Sequence, residues 1–228
     1  MPVSCYLIEH PKGRILIDTG WNTKYANQRP MEWFGIVDKI SAPVINENEG
    51  IDSKISALGL KDSDIDAVYF SHLDFDHTSG IPLVKNAKAF YASTEEKKDA
   101  KKSKFRYVDT WSGVVEIQTF DYKKSQIGPV GKSYDVFGDG KVLLINTPGH
   151  SQGLFSVKVS NAGKYLVLAS DTVYTPESIR KKIIPGFTVD KTLARKSLNW
   201  ICSCSEDRNC IFVAGNHDPS VKEQTIEL

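Results

Sequence analysis

Apolar positions along the chain fall mostly in short runs, and that rhythm predicts more strands than helices. "SCYLIE" and "RILIDTG" are two such runs separated by "HPKG", whose proline and glycine suit a turn, so the chain is expected to open on a hairpin. Residues 21–50 have no period and are too long for a simple connection. They read equally as a binding loop with an apolar tip at Trp33 and Phe34 or as a surface loop anchored by those aromatics. In "IDSKISALGL" the spacing of Ile51, Ile55, Leu58 and Leu60 predicts a helix, and "IDAVYFS" after it reads as a buried strand. The second half carries strand-like runs at "VVEIQTF", "KVLLINT", "LFSVKVS", "KYLVLAS" and "CIFVAG". "DKTLARKSLNWICS" predicts a helix capped by Asp190, with Leu193, Leu198 and Ile201 on one face. Strands outnumber helices in each half, which suggests an α+β fold of two sheets packed face to face with helices outside. No linker or low-complexity segment interrupts residues 1–228, so a single domain is expected.

Charge narrows the choice of function. With 29 basic and 28 acidic side chains the net charge is +1, so no global field selects nucleic acid or an anionic membrane, and function must come from a local site. "MPVSCYLIEHPKG" lacks the parts of a signal peptide, and no apolar run approaches the roughly 18 residues that span a bilayer, so the expected location is cytoplasmic. Cys5, Cys202, Cys204 and Cys210 match neither a zinc knuckle nor a disulfide framework and read as reduced thiols.

The polar residues at strand ends carry the chemistry. Of five histidines, His72 and His77 follow "IDAVYF", His150 follows "KVLLINTPG" and His217 follows "CIFVAGN", while Asp171 follows "KYLVLAS". A lone histidine after a strand is usually structural, and His10 in the hairpin turn is read that way. Four histidines and three aspartates at strand ends, with His72, Asp74, Asp76 and His77 all inside "HLDFDH", favour metal binding over coincidence. In an extended segment alternate side chains share a face, so residues 72, 74 and 76 can point one way while His77 turns to the other. His150 and His217 would complete one metal each, and Asp171 is suited to bridge.

"HLDFDH", "TPGHS", "SDTVY" and "GNHD" together resemble the motif set of the metallo-β-lactamase superfamily, in particular its N-acyl homoserine lactonase branch. The likeness extends to "CYLIEHPKGRILIDTG" and "PGFTVDKTLARKSLNWI" and so covers nearly the whole chain. It implies an αββα sandwich and a centre with two divalent transition metal ions, zinc by family. His72, position 74 and His150 would hold the first, Asp76, His77 and His217 the second, and Asp171 would bridge, with Asp18 of "IDTG" supporting the metal loop. The implied activity is hydrolysis of a lactone or related ester by a metal-bridging hydroxide. Tyr174 would donate to the carbonyl oxygen and Asp76 would pass a proton to the departing alkoxide. Trp33 and Phe34 are candidates for the acyl-chain contact. The implied partner is a small-molecule substrate, with a homodimer as one admissible assembly.

Position 74 departs from the family, whose pattern there is HxHxDH. An extra carboxylate takes the centre's formal charge to zero, which weakens it as a Lewis acid and moves preference toward iron or manganese. Superfamily members with a carboxylate at this position, the flavodiiron proteins, perform di-iron redox chemistry, and that is the rival reading. A third is that Asp74 reaches a metal only through water, which would leave the first site weak or empty and the chain either a mononuclear enzyme or a metal-binding protein without catalysis.

Overall fold

The hairpin forms where its turn residues place it: β1 (Tyr6–His10) pairs antiparallel with β2 (Gly13–Ile17), and His10 Nδ1 accepts the Lys12 amide at 3.1 Å. His10 therefore closes a turn. The structure is a computed structural model that describes residues 2–26, 45–103 and 106–228; Trp33 and Phe34, the anticipated acyl-chain contacts, lie outside them. By internal contacts the chain divides into two compact units.

One unit comprises Cys5–Tyr91 and Phe105–Gln118. Its β3 (Ala67–Tyr69) runs parallel to β2, and β4 (Phe90–Ser93), which leads out of the unit, runs parallel to β3. With β5 (Ile117–Phe120) the sheet order is β1-β2-β3-β4-β5. Every residue of β3 is buried, the pattern of a strand covered on both faces. Helix α1 (Ile51–Ala57) buries only Ile51 and Ile55. Gly59 at φ 73° ends the turn and leaves Leu58 61% exposed, so the apolar face is narrower than its spacing predicts. A four-residue helix, α2 (Phe75–Thr78), follows β3.

The other unit holds Met1–Ser4, Ala92–Lys104 and Thr119–Leu228. Helix α3 (Thr94–Lys102) starts at a Ser93 cap. Strands β6 (Lys123–Lys124), β7 (Lys132–Asp135), β8 (Val142–Asn146), β9 (Phe155–Asn161) and β10 (Lys164–Leu168) pair antiparallel in succession, and β11 (Cys210–Ala214) adds parallel to β10. Helix α4 (Pro176–Arg180) is short, and α5 (Lys191–Glu206) is capped by Asp190, whose side chain accepts the Thr192 and Leu193 amides. The α5 face buries Leu198, Ile201, Cys202 and Cys204 against Val167, Ala169 and Val173. Leu193 is only half-buried, and Ala194 and Ser197 take the place the pattern gave it. All four cysteines are free thiols. Among the described residues, no helix is long and apolar enough to cross a membrane.

Candidate metal centre

In the first unit the ligand-type residues leave β3 and enter α2. Leu73 and Phe75 point into apolar surroundings, with Phe75 edge-on to Trp21 at 5.4 Å between ring centroids. That alternation turns His72 and Asp74 the other way, and His72 Nε2 stands 3.4 Å from Asp74 Oδ2. Helix geometry begins at Phe75, so the alternation stops there. His77 consequently comes back beside His72, ring centroids 4.0 Å apart, with its Nε2 3.7 Å from Asp76 Oδ2.

The loop after β2 holds this cluster. Asp18, 1% exposed and at φ 59°, accepts from the Ser71 amide at 2.7 Å and the Ser71 hydroxyl at 2.7 Å, and its Oδ2 meets His77 Nδ1 at 2.9 Å. The amide and hydroxyl of Thr19 both donate to the His77 carbonyl. A Cβ on Gly80 would stand 2.3 Å from the Thr19 carbonyl oxygen, so the approach of these loops requires glycine.

The second unit presents the other donors. His150 Nε2 and His217 Nε2 stand 3.5 and 3.1 Å from the same atom, Asp171 Oδ2. The Tyr174 ring packs edge-on to His217 at 4.8 Å and to His150 at 6.4 Å. Gly149, at φ 140°, lies so close to α5 that a Cβ would come within 2.3 Å of Ala194 Cα. Its carbonyl accepts the Val189 and Asp190 amides. Buried Glu96 of α3 accepts from the Ser151 hydroxyl at 2.6 Å and the Gly153 amide at 3.1 Å, and Tyr122 donates to the Gly153 carbonyl. Burial pushes the Tyr122 hydroxyl well above its usual pKa, so it stays a donor. Thr147, Ser156 and Thr172 join hydroxyl to hydroxyl and tie the His150 loop to the turn carrying Asp171.

Hydrogen bonds hold the Nδ1 side of all four imidazoles. His150 Nδ1 meets the Phe187 carbonyl at 2.6 Å, and His217 Nδ1 meets the Pro2 carbonyl at 2.7 Å. A carbonyl only accepts, so both Nδ1 atoms carry the proton. The Asp18 carboxylate imposes the same on His77. Ser71 spends its hydroxyl proton on Asp18 and so accepts from His72 Nδ1 at 3.0 Å. In their neutral form all four rings therefore turn an Nε2 lone pair toward a carboxylate oxygen. Lone pairs facing carboxylates suit a divalent cation, and fixed Nδ1 partners are what orient imidazole ligands.

Asp74 has a partner that its motif does not announce. Arg106 Nε donates to Oδ1 at 2.6 Å and Nη2 to Oδ2 at 2.7 Å. The arginine side chain is 6% exposed and that of the aspartate 17%. Asp74 occupies the cap position of α2, yet its side chain accepts no helix amide. Sequence reasoning missed Arg106, which stands in "KKSKFRYVD" among lysines with no spacing to mark it. Glu96 and Tyr122 were missed as well, since neither belongs to a motif.

The family model described as the metallo-β-lactamase superfamily matches residues 1–201. The chain belongs to that superfamily. "N-acyl homoserine lactonase AttM" of Agrobacterium fabrum is 32% identical over 96% of this chain and 82% of its own length. "N-acyl homoserine lactonase AiiA" of Bacillus thuringiensis subsp. kurstaki is 28% identical, with coverage of 96% and 82%. A solved structure of an N-acyl homoserine lactone hydrolase, with the product N-hexanoyl-L-homoserine at its catalytic metal centre, superposes with a TM-score of 0.74 at 24% identity, covering 96% of this chain and 82% of that one. The expected fold class is thereby shown: two mixed sheets with helices, in the manner of the metallo-β-lactamase α/β sandwich. These relatives bear hydrolase names, and the di-iron redox alternative raised by Asp74 is not favoured by them.

Proposed function

We propose that the chain is a metal-dependent lactonase that opens N-acyl homoserine lactones or related cyclic esters, its two units serving one hydrolase domain. The observation carrying this reading is the set of four buried histidines, each with Nδ1 engaged and Nε2 turned toward a carboxylate. His72, Asp74 and His150 would hold one divalent ion, Asp76, His77 and His217 a second, and Asp171 both. The imidazole-rich donor set favours zinc. Two such ions, when bound, supply an activated water and polarise the lactone carbonyl. Tyr174, whose ring packs against both His150 and His217, donates a hydrogen bond to the oxygen on which charge develops. Asp76, a quarter exposed against 4% for Asp171, can exchange protons with solvent and protonates the departing alkoxide. Phe187, 62% exposed with its ring 6.4 Å from that of His150, offers an apolar contact for an acyl chain. Four free thiols are consistent with a reducing cytoplasm.

Elemental analysis of gently purified protein, followed by lactone and thioester panels on the same sample, tests the reading. Close to two transition metals per chain and ring opening of acyl homoserine lactones are expected. Protein that takes up no metal sinks the proposal, and metal without turnover of any lactone or ester leaves only a metal-binding protein.

A further inference from the structure

The Arg106 fork changes what Asp74 can contribute to a metal. An imidazole ligand brings no charge. An aspartate in its place brings a full negative charge, unless a fixed cation travels with it. Arg106 supplies that cation: both carboxylate oxygens accept from one guanidinium, at 2.6 and 2.7 Å, and the arginine is 6% exposed. Such bidentate charge-assisted pairs are short, directional and little screened when buried. The guanidinium also stands over the Tyr107 ring, 5.2 Å from its centroid. Thr110, four residues on, donates to the Thr78 carbonyl at the end of α2. The arginine is thus fixed to the metal loop through its own segment.

We propose that Arg106 is a charge-compensating positioning residue, and that Asp74 and Arg106 together stand in for the neutral histidine of the family pattern. This rests on the metal-centre reading above. The fork occupies one lone pair on each Asp74 oxygen. Oδ2 stands on the His72 side, 3.4 Å from Nε2, within reach of an ion held by that histidine. Asp74 then binds through one oxygen and adds no net charge to its surroundings. The weakening of Lewis acidity and the drift toward iron or manganese that an uncompensated carboxylate would bring are both offset.

A double-mutant cycle on zinc affinity decides it, with competition against a chromophoric chelator and metal stoichiometry as readouts on wild type, D74H, R106Q and D74H/R106Q. D74H takes the carboxylate away from a buried guanidinium beside a dication and is expected to loosen one zinc by about tenfold or more, and D74H/R106Q to recover most of that loss. R106Q alone exposes the ion to the full carboxylate charge, and is expected to bind one zinc several-fold more tightly and to gain manganese affinity. An arginine that merely orients Asp74 would have the opposite sign, R106Q loosening the zinc. Equal zinc affinity for D74H and D74H/R106Q, or loosening by R106Q, overturns the proposal while leaving the metal centre standing. Wild-type protein that binds no zinc overturns both. If D74H fails to fold, the sign of the R106Q effect decides alone.

Discussion

Asp18 concentrates three tasks in one carboxylate: it accepts the Ser71 amide, it takes the Ser71 hydroxyl proton so that Ser71 can accept from His72, and it fixes the tautomer of His77. Its left-handed backbone at φ 59° places the carboxylate there, a conformation that costs little for aspartate or asparagine. Asp18→Asn keeps shape and backbone but puts an amide N–H where a proton acceptor is needed. It should lower metal affinity by roughly 10- to 100-fold, as loss of outer-shell partners does; chelator competition showing wild-type affinity would refute this orienting role. Residue by residue, legibility followed local spacing. His72, Asp74, Asp76 and His77 announce themselves within one hexapeptide. Arg106 does not, because its meaning comes from a partner 32 positions away. The surroundings of Asp74 therefore cannot be read from its hexapeptide alone.

The strands and helices that position these residues were legible to the extent that an apolar pattern marked them. The hairpin, β3, β8 to β11 and α5 all stand where runs or periodicity place them. Helix α3 does not show in the pattern: "TEEKKDAKK" has no apolar stripe, and its single buried side chain is Glu96, present to hold the His150 loop. The close approach of α5 to that loop was equally invisible, since it depends on what a missing Cβ allows. Gly149→Ala would bring a methyl group within 2.3 Å of the Ala194 backbone, at a φ of 140° that L side chains rarely adopt. The loop or the start of α5 must move, and the expected cost is about 2 to 3 kcal/mol. For a chain of this size that lowers the melting temperature by several degrees, which thermal unfolding followed by circular dichroism would detect. An unchanged melting temperature would show that the loop accommodates the methyl group freely.

For the molecule as a whole, a near-neutral surface leaves chemistry to the two donor sets, one on each compact unit: His72, Asp74, Asp76 and His77 on the first, His150, Asp171 and His217 on the second. The order of these motifs along the chain was readable from the sequence and is what the family likeness rests on. The pairing of strands into sheets was not, since β10 joins β11 in parallel across the whole of α4 and α5. The centre proposed above would take ligands from both sets, and an ion bound only to the native state contributes RT ln(1 + [M]/Kd), about 2.7 kcal/mol at a free concentration one hundred times Kd. Hydrogen exchange of metal-stripped protein, with and without added zinc, reads this locally. Protection should rise in the loop after β3 and also in the loops carrying His150, Asp171 and His217, and the melting temperature should rise with zinc concentration. Protection gained in one unit alone would mean that the ion is held by a single donor set, and the shared two-metal centre would have to be abandoned.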